Sequence, residues 1–124
     1  MTRQILLVED DPAVRHLITQ FLTRDGAKVH EADSLAQARQ VLREHADIDL
    51  AILDFWLGKD TAVGLMDDLG NDLNGLPILI ISGGNTATDL ETTQAIADIS
   101  GAVAFLQKPF RKKDLLEAVQ NALS

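Results

Sequence analysis

Four short aliphatic runs constrain this chain more than any other feature: Ile5-Leu6-Leu7-Val8, Leu50-Ala51-Ile52-Leu53, Ile78-Leu79-Ile80-Ile81 and Ala102-Val103-Ala104-Phe105-Leu106. Runs this short and without a polar break suit strands buried on both faces, as in a parallel sheet covered by helices. A fifth segment, Ala27 to Ala32, alternates apolar and polar residues and is expected to be an edge strand with one drier face. Helical periodicity fills the gaps. Val14, Leu17, Ile18, Phe21 and Leu22 form an amphipathic stripe with Pro12 near its first turn and Gly26 as its stop. Ser34 is placed to cap a second helix carrying Leu35, Ala38, Val41 and Leu42. Val63, Met66, Leu69 and Leu73 mark a third, softened by Gly64 and Gly70. A thin stripe from Thr86 to Ile99 marks a fourth, and Leu115, Leu116, Val119 and Leu123 mark the last. The alternation predicts a single α/β domain, (βα)5, with parallel strands and right-handed crossovers.

In such open sheets ligands bind beyond the carboxyl ends of the strands. The predicted strands end in Glu9-Asp10-Asp11, in Asp54, in Ser82-Gly83-Gly84 and in Gln107-Lys108-Pro109-Phe110. One rim therefore collects carboxylates, a hydroxyl and an ammonium. Carboxylates converging to about 4–5 Å repel by about 3–4 kcal/mol per pair at an effective dielectric near 20. Protonation or a hard cation must offset this, and an all-oxygen set with few protein ligands suits Mg²⁺. The chain has no cysteine, and His16, His30 and His45 fall away from the rim without clustering, so zinc or copper fits poorly. Lys108 can pair with a carboxylate and a phosphoryl oxygen, and Ser82 can donate to the same group. A carboxylate flanked by a metal, a lysine and a hydroxyl is what phosphoryl transfer to aspartate requires.

Taken together and in this order, Glu9-Asp10, Asp54, Ser82, Phe105 and Lys108-Pro109 resemble the receiver domains of two-component response regulators, over the whole chain and in the manner of the chemotaxis-type single receiver. The resemblance implies a flavodoxin-like, doubly wound five-stranded parallel sheet in the order 2-1-3-4-5. It implies that Asp54 is the phosphoacceptor, fed from the phosphohistidine of a sensor histidine kinase or a histidine phosphotransfer protein. Asp10 and Asp54 would ligate Mg²⁺ directly, Glu9 through water, and Trp56 through its backbone carbonyl. Ser82 and Lys108 would hold the phosphoryl group. Ser82 and Phe105 would switch a face made of the fourth helix, the fifth strand and the last helix. A cis Lys108–Pro109 peptide, an unknown downstream protein and a phosphorylation-dependent homodimer are also implied.

The pattern departs from the family in three places. Gly58 stands where the family usually has Pro, and the next glycine is Gly64, so the loop from Leu57 to Val63 is expected to be about two residues longer and more flexible than usual. Trp56 and Gly84 occupy positions that tune water attack on the phosphoryl group in the family. Arg111-Lys112-Lys113 opens the last helix against the preference of the macrodipole for acids.

Composition sets the outer limits. The chain has 124 residues and a formal net charge of −8, which suits one domain and disfavours a direct grip on nucleic acid. No apolar run is long enough to span a membrane and no secretory signal is evident, so a cytoplasmic location is expected, without membrane contact. The chain stops soon after Lys108, so one receiver without an output domain is expected, either stand-alone or taken from a longer hybrid kinase. It is expected to act on itself alone and not as an enzyme on other substrates. Three rival readings fit less well. A haloacid-dehalogenase-type phosphatase wants a second Asp where Trp56 stands. A flavin or nucleotide binder lacks a Gly-rich loop after the first strand. A pseudo-receiver that binds partners without phosphorylation is opposed by the complete acceptor set.

Overall fold

The computed structural model describes residues 2–45, 47–54, 56–57, 60–61, 76–82, 104–108 and 110–123. For Trp56, Leu57, Asp60, Thr61, Ser82, Ala104, Phe105 and Gln107 it describes the backbone alone. The elements are β1 (Gln4–Val8), α1 (Pro12–Arg24), β2 (Lys28–Ala32), α2 (Leu35–Glu44), β3 (Leu50–Asp54), β4 (Trp56–Leu57), β5 (Asp60–Thr61), β6 (Ile78–Ser82), β7 (Ala104–Gln107) and α3 (Lys112–Leu123). The third and fourth helices expected from the sequence, and the Lys108–Pro109 peptide, lie outside the described residues.

Five strands form one parallel sheet in the order β2-β1-β3-β6-β7. This is the expected doubly wound order, since β4 and β5 belong to a separate hairpin. The aliphatic runs are unbroken because both faces of the sheet are covered. Successive side chains point to opposite sides of a strand. Leu6, Val8, Ala51, Leu53, Ile78 and Ile80 therefore pack with Ala38, Leu35, Val41 and Leu42 of α2. Ile5, Leu7, Leu50, Ile52, Leu79 and Ile81 pack on the other face against Ile18 and Leu22 of α1 and Leu115 and Val119 of α3.

The helix boundaries follow from local chemistry. Asp11 caps α1, its Oδ1 accepting from the Ala13 N–H at 2.9 Å, and Pro12 occupies the first helical position. At the far end Gly26 has φ +93. Its N–H donates to the Thr23 carbonyl and that of Ala27 to the Leu22 carbonyl, a Schellman closure. Ser34 caps α2 by accepting from the Gln37 N–H. The basic opening of α3 is reconciled by Asp114, whose Oδ2 accepts from the Arg111 N–H at 3.1 Å and places an acid in the first turn.

Several expectations need revision. The alternation in β2 does not produce one dry face: Val29 packs on the α1 side of the sheet, whereas Ala32 is buried on the side of α2. Its polar residues reflect its place at the sheet edge. Leu17 of the α1 stripe is 46% exposed. His30 and His45, separate in the sequence pattern, stack with ring centroids 4.2 Å apart, and the His30 Nε2 hydrogen-bonds Gln4 Oε1. Within the segment after Asp54, Trp56–Leu57 pairs antiparallel with Asp60–Thr61, a short pairing the sequence pattern does not announce.

Candidate functional site at the strand ends

Sheet register assembles the rim. Val8 pairs with Leu53, which sets Glu9 level with Asp54, and Asp54 pairs with Ile81. Ser82, the last residue of β6, pairs with Gln107, and Lys108 follows directly. Residues from four segments of the chain thus converge because parallel strands end on the same side. Carboxylate oxygens of Glu9, Asp10 and Asp54 lie within 4.8 Å of one another. Glu9 and Asp54 are buried, at 1% and 5% exposure, and Asp10 is exposed.

Lys108 spans the two buried acids. Its Nζ donates to Glu9 Oε2 at 2.8 Å and to Asp54 Oδ2 at 3.0 Å. The other Glu9 oxygen accepts from the Asp11 N–H at 3.1 Å, so both carboxylate oxygens are held. Burial pushes the Glu9 carboxyl up to about 7; the Lys108 hydrogen bond pulls it back, and the charge of Asp54 adds to the rise. Burial alone would lower the Lys108 ammonium, but the bonds and charges of Glu9 and Asp54 outweigh it and the net shift is upward. One ammonium thus serves two carboxylates with a third nearby. The donor set is hard oxygen, one member is open to solvent, and no imidazole or thiolate is part of it, which fits Mg²⁺.

The remaining expected residues are placed by backbone. Trp56 lies two residues beyond Asp54 in the β4–β5 hairpin, opposite Thr61. Phe105 is in β7, opposite Ile80. Gly84 lies outside the described residues. Arg15 joins the site without being among the residues the sequence pattern singles out. Its Nη1 donates to the Glu9 carbonyl oxygen at 2.8 Å, and its Nε approaches Glu31 Oε1 at 3.3 Å. The only available signal was a basic residue one turn into the helix that follows the acidic strand end.

Comparison with known proteins agrees with this geometry. The family model of the response regulator receiver domain matches residues 5–120. The chain belongs to that family. It is 34% identical over 121 residues to the regulatory protein VirG of Agrobacterium tumefaciens (strain 15955), covering 98% of this chain and 43% of VirG. It is 30% identical to the response regulator GtcR of Aneurinibacillus migulanus, covering 99% of this chain and 48% of GtcR. The chain therefore spans less than half the length of these relatives. The receiver domain of NtrX from Brucella abortus superimposes with a TM-score of 0.87 at 29% identity, covering 96% of this chain and 97% of that one. A CheY-like receiver domain protein from Methanospirillum hungatei JF-1 shares the fold, with a TM-score of 0.88 at 23% identity over 99% of this chain and 94% of that one. Among the described residues no helix is long and apolar enough to cross a membrane.

Proposed function

We propose that this receiver accepts a phosphoryl group on Asp54 from the phosphohistidine of a sensor histidine kinase or a histidine phosphotransfer protein. The observation that carries the reading is the Lys108 ammonium, 3.0 Å from a buried Asp54 whose neighbours are Glu9 and Asp10. An Asp54 oxygen attacks phosphorus in line, the P–N bond breaks, and the imidazole leaves with its electron pair. An acyl phosphate remains on Asp54. Lys108 is already at the rim to meet the equatorial oxygens, and the Ser82 hydroxyl is the second donor. Asp10 and Asp54 are the direct ligands proposed for Mg²⁺, with Glu9 acting through water and the Trp56 carbonyl completing the set. When bound, Mg²⁺ supplies further positive charge beside the transferring group.

Glu9 and Lys108 also hold the unphosphorylated site together. Phosphorylation puts new negative charge on Asp54 and gives Lys108 another partner. Ser82 and Phe105 then carry the change to a face that includes β7 and α3. A downstream protein or a second receiver reads that face. The domain catalyses its own phosphorylation and dephosphorylation and turns over no separate substrate. It works in the cytoplasm, without direct contact to nucleic acid or membrane.

The test is incubation with acetyl phosphate and Mg²⁺, followed by intact mass measurement with and without hydroxylamine. The expected product is one hydroxylamine-labile phosphoryl adduct, absent from Asp54→Asn and slowed in Lys108→Met. A wild-type protein that forms no adduct is a pseudo-receiver. Steady release of phosphate from a phosphomonoester points to a phosphatase.

A further inference from the structure

We propose that Arg15 is a positioning residue that sets the metal affinity of the rim by clamping the main chain between Glu9 and Asp10. The inference rests on the reading of that rim as a Mg²⁺-dependent phosphoacceptor site. Three observations carry it. Arg15 is on α1, and its Nη1 donates to the Glu9 carbonyl oxygen at 2.8 Å. Its Nε is 3.3 Å from Glu31 Oε1 on the neighbouring strand β2. The Arg15 side chain is only 22% exposed and its bond to the Glu9 carbonyl is partly buried, whereas Glu31 is 45% exposed.

A single planar guanidinium therefore ties three elements together: the end of β1, the first turns of α1 and the end of β2. Its fork of fixed N–H groups can satisfy a carbonyl and a carboxylate at once, which a lysine ammonium on a flexible stem does not reproduce. The Glu9 carbonyl belongs to the peptide plane that also contains the Asp10 N–H. Fixing its direction fixes the direction in which Asp10 leaves the strand, because a peptide plane has no internal rotation. The opposite side of the turn is already held: the Glu9 N–H donates to the Ala32 carbonyl at 3.0 Å, and the Asp11 N–H to Glu9 Oε1 at 3.1 Å. Asp10 is the exposed member of the carboxylate group, without burial to immobilise it. The Arg15 bond restrains the carbonyl just ahead of it. Glu31 holds the guanidinium from behind, and so acts on the rim through Arg15.

The decisive variant is Arg15→Lys, which keeps the positive charge and removes the fork. Magnesium binding to the full chain is measured by calorimetry, and the metal-free protein is followed by amide NMR. The expected result is a Kd for Mg²⁺ weakened about tenfold, the lower end of the range for partners that orient metal ligands. The Asp10 amide resonance shifts in the metal-free protein. Glu31→Gln, at an exposed position, weakens binding less, and adds nothing further when combined with Arg15→Lys. A purely structural role predicts a lower urea midpoint with unchanged Kd and an unmoved Asp10 amide, and that outcome overturns the proposal. Equal, additive losses from Glu31→Gln and Arg15→Lys also overturn it, because they indicate independent charges. Wild-type protein that binds no Mg²⁺ defeats the phosphoacceptor reading instead, so the two failures are separable.

Discussion

Replacing Glu9 by glutamine removes one ionisable group from the least exposed part of the rim, and its effect on stability should depend on pH in a calculable way. Burial raises the Glu9 carboxyl from 4.5 to about 7. An acid whose folded pKa is raised keeps a proton that the unfolded chain releases. Its contribution is therefore fully present below pH 4.5 and is lost as pH rises through about 7. Linkage over that interval gives about 2–3 kcal/mol of stability lost between pH 5 and pH 8 in metal-free protein. The amide of the substituted side chain does not titrate, so this loss disappears in the variant. His30 acts with the opposite sign. Burial, the adjacent His45 and Lys28 lower its pKa below 6.5, so stability is gained as pH rises. Both proteins carry His30, and the difference between them isolates Glu9. Urea unfolding in EDTA at pH 5, 6, 7 and 8 measures it. Glu9→Gln should gain about 2–3 kcal/mol relative to wild type from the bottom to the top of this range. Added Mg²⁺ should narrow the gap at pH 8 by stabilising the ionised wild-type site. Parallel stability curves, with a constant difference at every pH, would show that burial does not raise the Glu9 carboxyl.

Three further outcomes are expected. Lys108→Met leaves Glu9 and Asp54 buried without their shared ammonium. It should lower stability at pH 8 in EDTA by about 3–5 kcal/mol, with most of the loss recovered at pH 5 or by Mg²⁺, as read by urea midpoints. Asp11→Ala removes the acceptor for the Ala13 and Val14 N–H groups. It should reduce stability by about 1 kcal/mol in the same assay. In an NMR titration the His30 imidazole should show a midpoint below 6.5, and His45→Ala should raise it by opening His30 to solvent and removing the facing ring.

The readable parts of this fold are those encoded locally. Unbroken aliphatic runs report that both faces of a strand are covered, and Ile5 to Val8 alternate between two helical layers as that pattern requires. Asp11-Pro12, Gly26 and Ser34 mark helix ends because caps act over three or four residues. The acids and Lys108 fall on one rim as soon as the strands run parallel, because every strand end is then on one side. What escaped depends on register between distant segments. The pairing of Lys108 with Glu9 joins residues 99 apart. The Arg15–Glu31 bridge requires knowing which face of α1 meets the end of β2. The His30–His45 stack requires the end of α2 to come back over β2. The β4–β5 pairing is local but escapes for another reason: its strands have two residues each, too short to show any periodicity.

The same geometry explains why fold stability and site chemistry are coupled in this domain. A rigid floor of fully buried Val8 and Leu53 fixes the carboxylates above it, so they cannot spread apart to relieve repulsion. In metal-free protein the relief comes from Lys108 and from a proton on Glu9, which is only partly held near neutral pH, and one ammonium cannot neutralise three carboxylates. A cation bound by the folded rim and not by the unfolded chain stabilises the fold by mass action, about 2.7 kcal/mol at one hundred times its Kd. A domain that leaves this repulsion unrelieved is less stable alone and more responsive to whatever arrives at Asp54. Neutralising Glu9 should thus raise stability while weakening the response to Mg²⁺, the opposing pair of effects expected when a site holds charge for binding instead of for folding.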